Sequence, residues 1–450
     1  MRKPHSLSLH LPRIVYHALR FNFLSHLGIV MSPSSSLDSA QIHSLLRHKP
    51  FAFFWLARVA AAIAVQMQAV ALGWQAYALT GSAFYLGLVG LAQFLPLFLL
   101  TLAVGHVADR YDRRLVGSVS QLVEAIAAGM LAFGSASGWL NKENLLAIVF
   151  VLGATQAFLG PTMQALLPGL VSPSSFPRAV AWSMSAFQTA TILGPAFGGL
   201  LYAAGPSAVY ATTSILFLGA SLLLAGIRLE RVPPKREPVS LHSLFAGIAF
   251  IRRRQVILGA ISLDLFAVLL GGATALLPIY ARDLLRTGPL GLGFLRSAPA
   301  IGALVMSVIL ARHPLRHRVG RIMLGAVGVF GVATIGFAVS TSFFLSLGAL
   351  VVLGAMDVVS MVIRHSLVQI ETPDAMRGRV SAVHSMCSGT SNQLGEFESG
   401  VTAALFGTVP SVVLGGVGTI LVVLIWKHLF PELAGVDSLE RPAPPLKASS

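Results

Sequence analysis

Five carboxylates interrupt long apolar runs of this 450-residue chain: Glu124, Asp264, Asp357, Glu396 and Glu398. An acid kept at membrane depth is costly and is by default functional. Desolvation favours the neutral form of a carboxyl group, so such a residue can exchange a proton near neutral pH. Two arginines, Arg58 and Arg296, also fall inside apolar runs. Other chemistries lack their residues. No glycine is followed by lysine, so there is no phosphate-binding loop and no ATP drive. His-Glu-x-x-His is absent, and the lone Cys387 rules out a cysteine pair for a metal or an intrachain disulfide. The histidines and serines lie outside any triad-like context. The sequence therefore predicts no enzyme, no metal and no cofactor.

The elements that must hold these acids follow from composition. Hydrophobic residues make up 55% of the chain and charged ones 11%, against about a quarter charged in soluble domains; mean hydropathy is +0.77. A spanning helix needs about 20 apolar residues. That rule gives twelve spans, at 53–78, 85–107, 115–138, 145–168, 179–203, 207–227, 256–280, 289–311, 320–339, 343–368, 380–405 and 411–429. The net charge of +15 sits in clusters between spans, which points to membrane topology and not to nucleic acid. With both termini cytoplasmic, 27 of the 32 Lys and Arg fall on the cytoplasmic side. Arg58 and Arg296 lie within spans, and only Lys142, Arg282 and Arg286 lie outside.

The expected fold is an all-α membrane protein of twelve helices in two related six-helix halves. Thr80-Gly81 recurs as Thr287-Gly288, Pro96 as Pro299, and Pro206-Ser207 as Pro410-Ser411. The domain reading is a cytoplasmic tail at 1–50, a first bundle at 51–227, a connector at 228–255, a second bundle at 256–430 and a tail at 431–450. Met31 reads as the true start, with 1–30 a mis-annotated extension. In the connector, Leu241, Leu244, Phe245, Ile248 and Ile251 recur at helical spacing before Arg252-Arg253-Arg254. This pattern predicts an amphipathic helix, either on the lipid surface or as a strap between bundles.

Rise per residue sets depth. Asp264 follows Arg254 by ten residues, roughly 15 Å, and Asp357 precedes Gln369 by twelve, roughly 18 Å. Both acids are thus expected near the midplane. The proton-coupling candidates are Asp264, Asp357, Glu396 and Glu398, with Asp264 ahead of Asp357 because a salt bridge to Arg364, two turns after Asp357, is the alternative reading of that acid. Glu396 and Glu398 point about 200° apart on a helix, so one cavity can receive only one of them, and Arg296 is a partner at comparable depth. Glu124 is expected to pack against a polar neighbour, and Arg58 to attract an anion or neutralise an acid.

Two motifs carry a family resemblance. The first is Gly105-x-x-x-Asp109-Arg110-x-x-Arg113-Arg114 between the second and third spans. The second is Gly194-Pro195-Ala196-Phe197-Gly198-Gly199 in the fifth, where proline kinks a helix and glycines permit close approach. Together they resemble the major facilitator superfamily of secondary transporters, the second motif being similar to that of its drug–proton antiporters. Leu79-Thr80-Gly81-Ser82 and Thr372-Pro373-Asp374 with Arg377-Gly378-Arg379 resemble the branch of enterobactin-type siderophore exporters and related drug exporters.

The resemblance implies a monomeric proton antiporter of a bacterial inner (cytoplasmic) membrane that exports a small amphiphilic or siderophore-like compound. It also implies that Asp109 meets the start of the eleventh span near residue 379 and latches the halves. Asp112 departs from the glycine usual there, and the counterpart at 311–321 keeps bases without an acid. The first-span acid frequent in members that export cations is absent, which argues against a cationic drug, and the fourth-span arginine of proton-coupled members is missing, with Gln156 near its position. Two alternatives stay open: a proton-coupled importer of an organic anion, served by Arg58, and a non-transporting sensor, against which the midplane acids argue.

Overall fold

Glycine and proline punctuate the apolar runs, and the helices begin and end at that punctuation. In the computed structural model, residues 48–228 and 241–439 are described, with backbone only at 101–110, 241–244 and Ala375. The readings of 1–47, including the start at Met31, lie outside the described residues, as do 229–240 and 440–450.

The first half comprises α1 (Lys49–Thr80), α2 (Ala83–Arg110), α3 (Arg113–Ser137), α4 (Lys142–Leu170), α5 (Phe176–Leu201) and α6 (Pro206–Ala225). A connector helix follows, α7 (Leu241–Arg253). The second half is α8 (Gln255–Leu270), α9 (Gly288–Arg312), α10 (Val319–Val339), α11 (Phe343–Glu371), α12 (Asp374–Phe406) and α13 (Thr408–Leu429), closed by a short α14 (Pro431–Gly435). Among the described residues no strand occurs. All of these elements belong to one compact unit.

The repeat seen in sequence is also a repeat of backbone conformation. Gly205 and Gly407 hold φ of 102° and 93° and introduce α6 and α13. No side chain is easily carried there, so glycine sets both turns. Among the described residues, ten spans are both long and apolar enough to cross a membrane. The remaining two, α5 with 26 residues and α12 with 33, occupy the same place in each half and carry more polar side chains.

The seventh span departs from the continuous helix expected at 256–280. Helix α8 stops at Gly271, a 3-10 turn covers Ala273–Leu276, and a π-turn covers Tyr280–Leu284. Gly271-Gly272 gives little helical preference, and Pro278 lacks the N–H a helix needs. The eleventh span, α12, starts at Asp374, before residue 379, with Pro373 at its N-cap.

Both halves share one apolar core, but only toward one face. Met67, Leu72, Leu131 and Tyr210 of the first half join Leu276, Tyr280, Leu292 and Leu295 of the second. These residues lie toward the face bearing the turns at 81–82, 202–205 and 285–288. A separate cluster, including Leu263, Met323, Ile363 and Leu367, belongs to the second half alone. On the connector helix, Ile251 packs with Val380 and Val383 of α12. A Cβ at Gly247 would lie 2.9 Å from the Arg379 carbonyl oxygen, so α7 is seated directly on the start of α12.

Candidate functional site

The close approaches that join the halves are made by small residues on four helices. A Cβ at Gly400 of α12 would lie 2.5 Å from the Gly87 Cα of α2. One at Gly199 of α5 would lie 2.6 Å from the Pro289 carbonyl oxygen of α9, and one at Gly293 of α9 2.5 Å from that of Pro195. The glycine–proline motif thus packs α5 against the other half through Pro195 and Gly199. Gly194 and Gly198 instead face α1, at Gln66 and Met67.

Hydrogen bonds reinforce the same seam. Tyr77 Oη donates to Asp283 Oδ2 at 2.5 Å, and the Arg282 guanidinium lies 5.4 Å from the centre of the Tyr77 ring. Ser297 Oγ donates to the Ile192 carbonyl at 2.7 Å, and Gln188 Nε2 to that of Ala300 at 3.3 Å. Among the described residues, these ties lie at mid-depth or toward the turn-bearing face.

Below the seam the halves enclose a cavity of about 340 Å³. Gln188 and Thr191 of α5 line one side; Arg296, Asp357, Asn392 and Glu396 of the second half line the other. The break at Gly271-Gly272 forms part of its wall. Two of the four proton-coupling candidates therefore face one space, and Arg296 faces it with them. Arg296 Nε is buried without a hydrogen-bond partner. Glu398 does not line the cavity, in keeping with its opposite heading on α12. Arg58 is half-buried on α1 and also lies outside this lining.

Asp264 occupies a different setting. Its carboxylate is ion-paired with Arg364 and accepts a hydrogen bond from Ser388 Oγ at 3.2 Å. Arg364 is itself buried, 4% exposed. This corrects two expectations. Arg364 is not a base at the membrane face, and its partner is Asp264, not Asp357. Depth along a helix fixed the height of each group but not its heading. Asp357, by contrast, has no ion pair among the described residues.

Glu124 of α3 is the most buried of the acids, at 1% exposure. Its Oε1 accepts from Thr155 Oγ1 at 3.2 Å and from Gln156 Nε2 at 2.5 Å. The polar neighbours are therefore both on α4, and one is the glutamine near the missing arginine. It lines a smaller pocket with Gln68, Gln93 and Gln393. Sequence reading passed over those three glutamines, although a polar amide inside an apolar run was a usable signal. It also missed the pair His365–His384, with ring centres 4.9 Å apart, which only tertiary packing brings together.

In the loop motif, helix α2 continues through Gly105, Asp109 and Arg110, whose side chains lie outside those described. The latch expected of Asp109 is therefore not visible here. The remainder is anchored within the first half. Arg113 donates to the Ala165 carbonyl at 3.2 Å and Arg114 to that of Ile227 at 2.7 Å. Asp112 caps α3, accepting from the Arg114 backbone N–H at 2.9 Å, and the Arg114 side chain holds its carboxyl below the usual carboxylate range. The counterpart loop recruits its acid from elsewhere: Asp437, beyond α14, accepts from the Arg318 N–H at 3.0 Å and pairs with His317 at 3.3 Å.

Comparison with known proteins bears on this arrangement. The family model described as transmembrane secretion effector matches residues 40–446. The chain is 26% identical over 399 residues to the enterobactin exporter EntS of Escherichia coli O1:K1, covering 87% of this chain and 94% of that protein. It is 26% identical over 405 residues to the enterobactin exporter EntS of Shigella boydii serotype 18, with the same coverage. Among solved structures, a bacterial homologue of the human lysosomal transporter Spinster, inward-facing and unoccupied, superposes with a TM-score of 0.69 at 13% identity. It covers 88% of this chain and 99% of that one. A bacterial homologue of the iron transporter ferroportin, inward-facing, gives 0.65 at 20% identity, covering 87% and 100%. At these identities the structural likeness establishes the fold.

Proposed function

The chain belongs to the transmembrane secretion effector family of the major facilitator superfamily, and from that premise we propose that it exports a small amphiphilic or siderophore-like compound by alternating access, driven by proton entry. It is a multi-pass membrane transporter; the direction, coupling and substrate class are our reading. The observation that carries it is the cavity between the halves, closed toward one face and lined by Asp357, Arg296 and Glu396.

In this account the termini and the 228–254 connector face the cytoplasm of a bacterial cell, so the seam at Tyr77 and Asp283 closes the periplasmic side. The arrangement is then inward-facing and receives substrate from the cytoplasm. Opening requires α2 to part from α12 and α5 from α9, while the cytoplasmic ends close. Asp109 would meet the start of α12 in that closed state, where a helix N-terminus favours a carboxylate. The protein works as a monomer, since the cavity is complete within one chain.

Among the acids, Asp357 and Glu396 suit proton exchange best, because both face the cavity and neither is locked in a close ion pair. Asp264 is tied to Arg364, and its role is to hold α8, α11 and α12 in register. The test begins with a deletion strain screened for compounds retained in cells. In proteoliposomes with a pH gradient, Asp357→Asn should abolish uphill movement of the retained compound while allowing downhill exchange. Full uphill transport by both Asp357→Asn and the Asp357→Asn, Glu396→Gln double variant would remove these acids from the coupling.

A further inference from the structure

A second, smaller pocket lies where α1, α2, α3 and α4 meet α12, contributed by Gln68, Gln93, Glu124 and Gln156 of the first half and Gln393 of the second. We propose that it binds a compact cationic head group bearing several N–H donors, such as an amidinium, guanidinium or primary ammonium, on the carried compound. The inference deepens the transport reading and rests on it only in taking the ligand as part of the cargo.

Three features select that chemistry. First, the buried side-chain atoms of this pocket that lack a hydrogen-bond partner are all acceptors. Glu124 Oε2, Gln68 Oε1 and Gln393 Oε1 are buried without a hydrogen-bond partner. Two of the local donors, Thr155 Oγ1 and Gln156 Nε2, are already spent on Glu124 Oε1. Buried acceptors that find no partner in the protein are rare, and a ligand supplying N–H groups satisfies them. Second, no cation pairs with Glu124 among the described residues, so a buried carboxylate awaits one. Glutamine at 156 keeps it that way, because an arginine there would fill the site from within.

Third, the size is that of a head group. The volume is about 100 Å³, below the ~150 Å³ of a cavity that takes up benzene. Apolar side chains, among them Leu72, Leu152 and Phe217, complete the wall and suit the carbon adjoining the charged group. The placement also couples occupancy to movement. Gln393 comes from α12 and the other residues from the first half, so a ligand held by both bridges the halves and loses contacts when they part. The larger cavity holding Asp357 stands apart, on α5 and the second half.

The experiment uses the purified full-length protein in nanodiscs without any gradient, so failure of export and failure of this site are separable. The probe is acetamidine, with acetamide as its neutral counterpart of nearly equal shape. Acetamidine should bind about tenfold or more tightly than acetamide, as loss of a charge-assisted contact predicts. Glu124→Gln should weaken acetamidine by about tenfold while acetamide changes little, and Gln156→Arg, which fills the site, should weaken both. Gln393→Ala, which leaves the carboxylate and its partners untouched, should weaken acetamidine by about threefold or more and guards against a folding defect at Glu124. Asp112→Asn, in the loop before α3, should leave it unaltered. Absence of acetamidine binding, equal binding of acetamide, or full retention of acetamidine in Glu124→Gln would overturn the proposal.

Discussion

Each half of the molecule buries an acid, and the two are kept in opposite ways. Glu124 is held by a hydroxyl and an amide, with no cation in contact among the described residues. Asp264 is held by the buried guanidinium of Arg364 and the hydroxyl of Ser388. Neutral donors leave a carboxylate free to accept a proton or a cationic ligand, whereas a close arginine keeps it charged and occupied. One of these two acids is thus open to exchange and the other serves support, and a shared fold need not share chemistry.

The largest effect should come from making the second half resemble the first. Arg364→Met leaves Asp264 buried without its partner, which costs about 3–5 kcal/mol. Thermal unfolding in detergent should show this as a lower midpoint, and adding Asp264→Asn should recover most of the loss. A single variant as stable as the parent would mean that Asp264 is not held by that ion pair.

Next in size is the seam. At Gly293 even one methyl group would sit 2.5 Å from the Pro195 carbonyl oxygen, so Gly293→Ala should push α9 away from α5. Overpacking of this kind costs about 1–3 kcal/mol, enough to shift the balance toward the arrangement open on the turn-bearing face by about five- to 150-fold. Labelling of a cysteine placed by Leu201→Cys, in a background lacking Cys387, should accelerate accordingly. No change in labelling would show that the seam is not the closed gate.

The smallest contrast lies in the loops. Asp112 caps α3 from its own loop, while Asp437 reaches the 313–318 loop from the far end of the chain. Asp112→Ala should cost about 0.5–2 kcal/mol, the usual value of a lost helix cap. Because Arg114 lowers the carboxyl's folded pKa, the stabilisation is full above the ordinary aspartate range and disappears as pH falls through the folded value. The unfolding difference between Asp112→Ala and the parent should therefore shrink on acidification. A difference that grew instead would place the effect elsewhere.

Much of this was legible in the sequence, for identifiable reasons. Apolar run length marked the helices, and the Thr-Gly and Pro-Ser pairs betrayed the repeat that the backbone turns at Gly205 and Gly407 display. Helices α5 and α12 carry more polar residues than their neighbours, yet their runs at 179–203 and 380–405 still reach spanning length. The break after Leu270 was signalled by Gly271-Gly272 and Pro278, but the hydropathy of the run concealed it. What could not be read was heading around a helix axis. That is why Arg364 was assigned to Asp357 on its own helix, when its partner is Asp264 on α8. Likewise Asp112 reads in isolation as a departure from a motif, yet its position before a helix start is that of a cap.

The most direct test of the central claim, that proton entry drives export, is proton movement itself. In proteoliposomes containing a trapped pH dye, addition of the retained compound on the side corresponding to the cytoplasm should drive protons in the opposite direction. The proton movement should be saturable and should be lost in Asp357→Asn. Transport of the compound with no proton movement, or with protons travelling alongside it, would contradict the account.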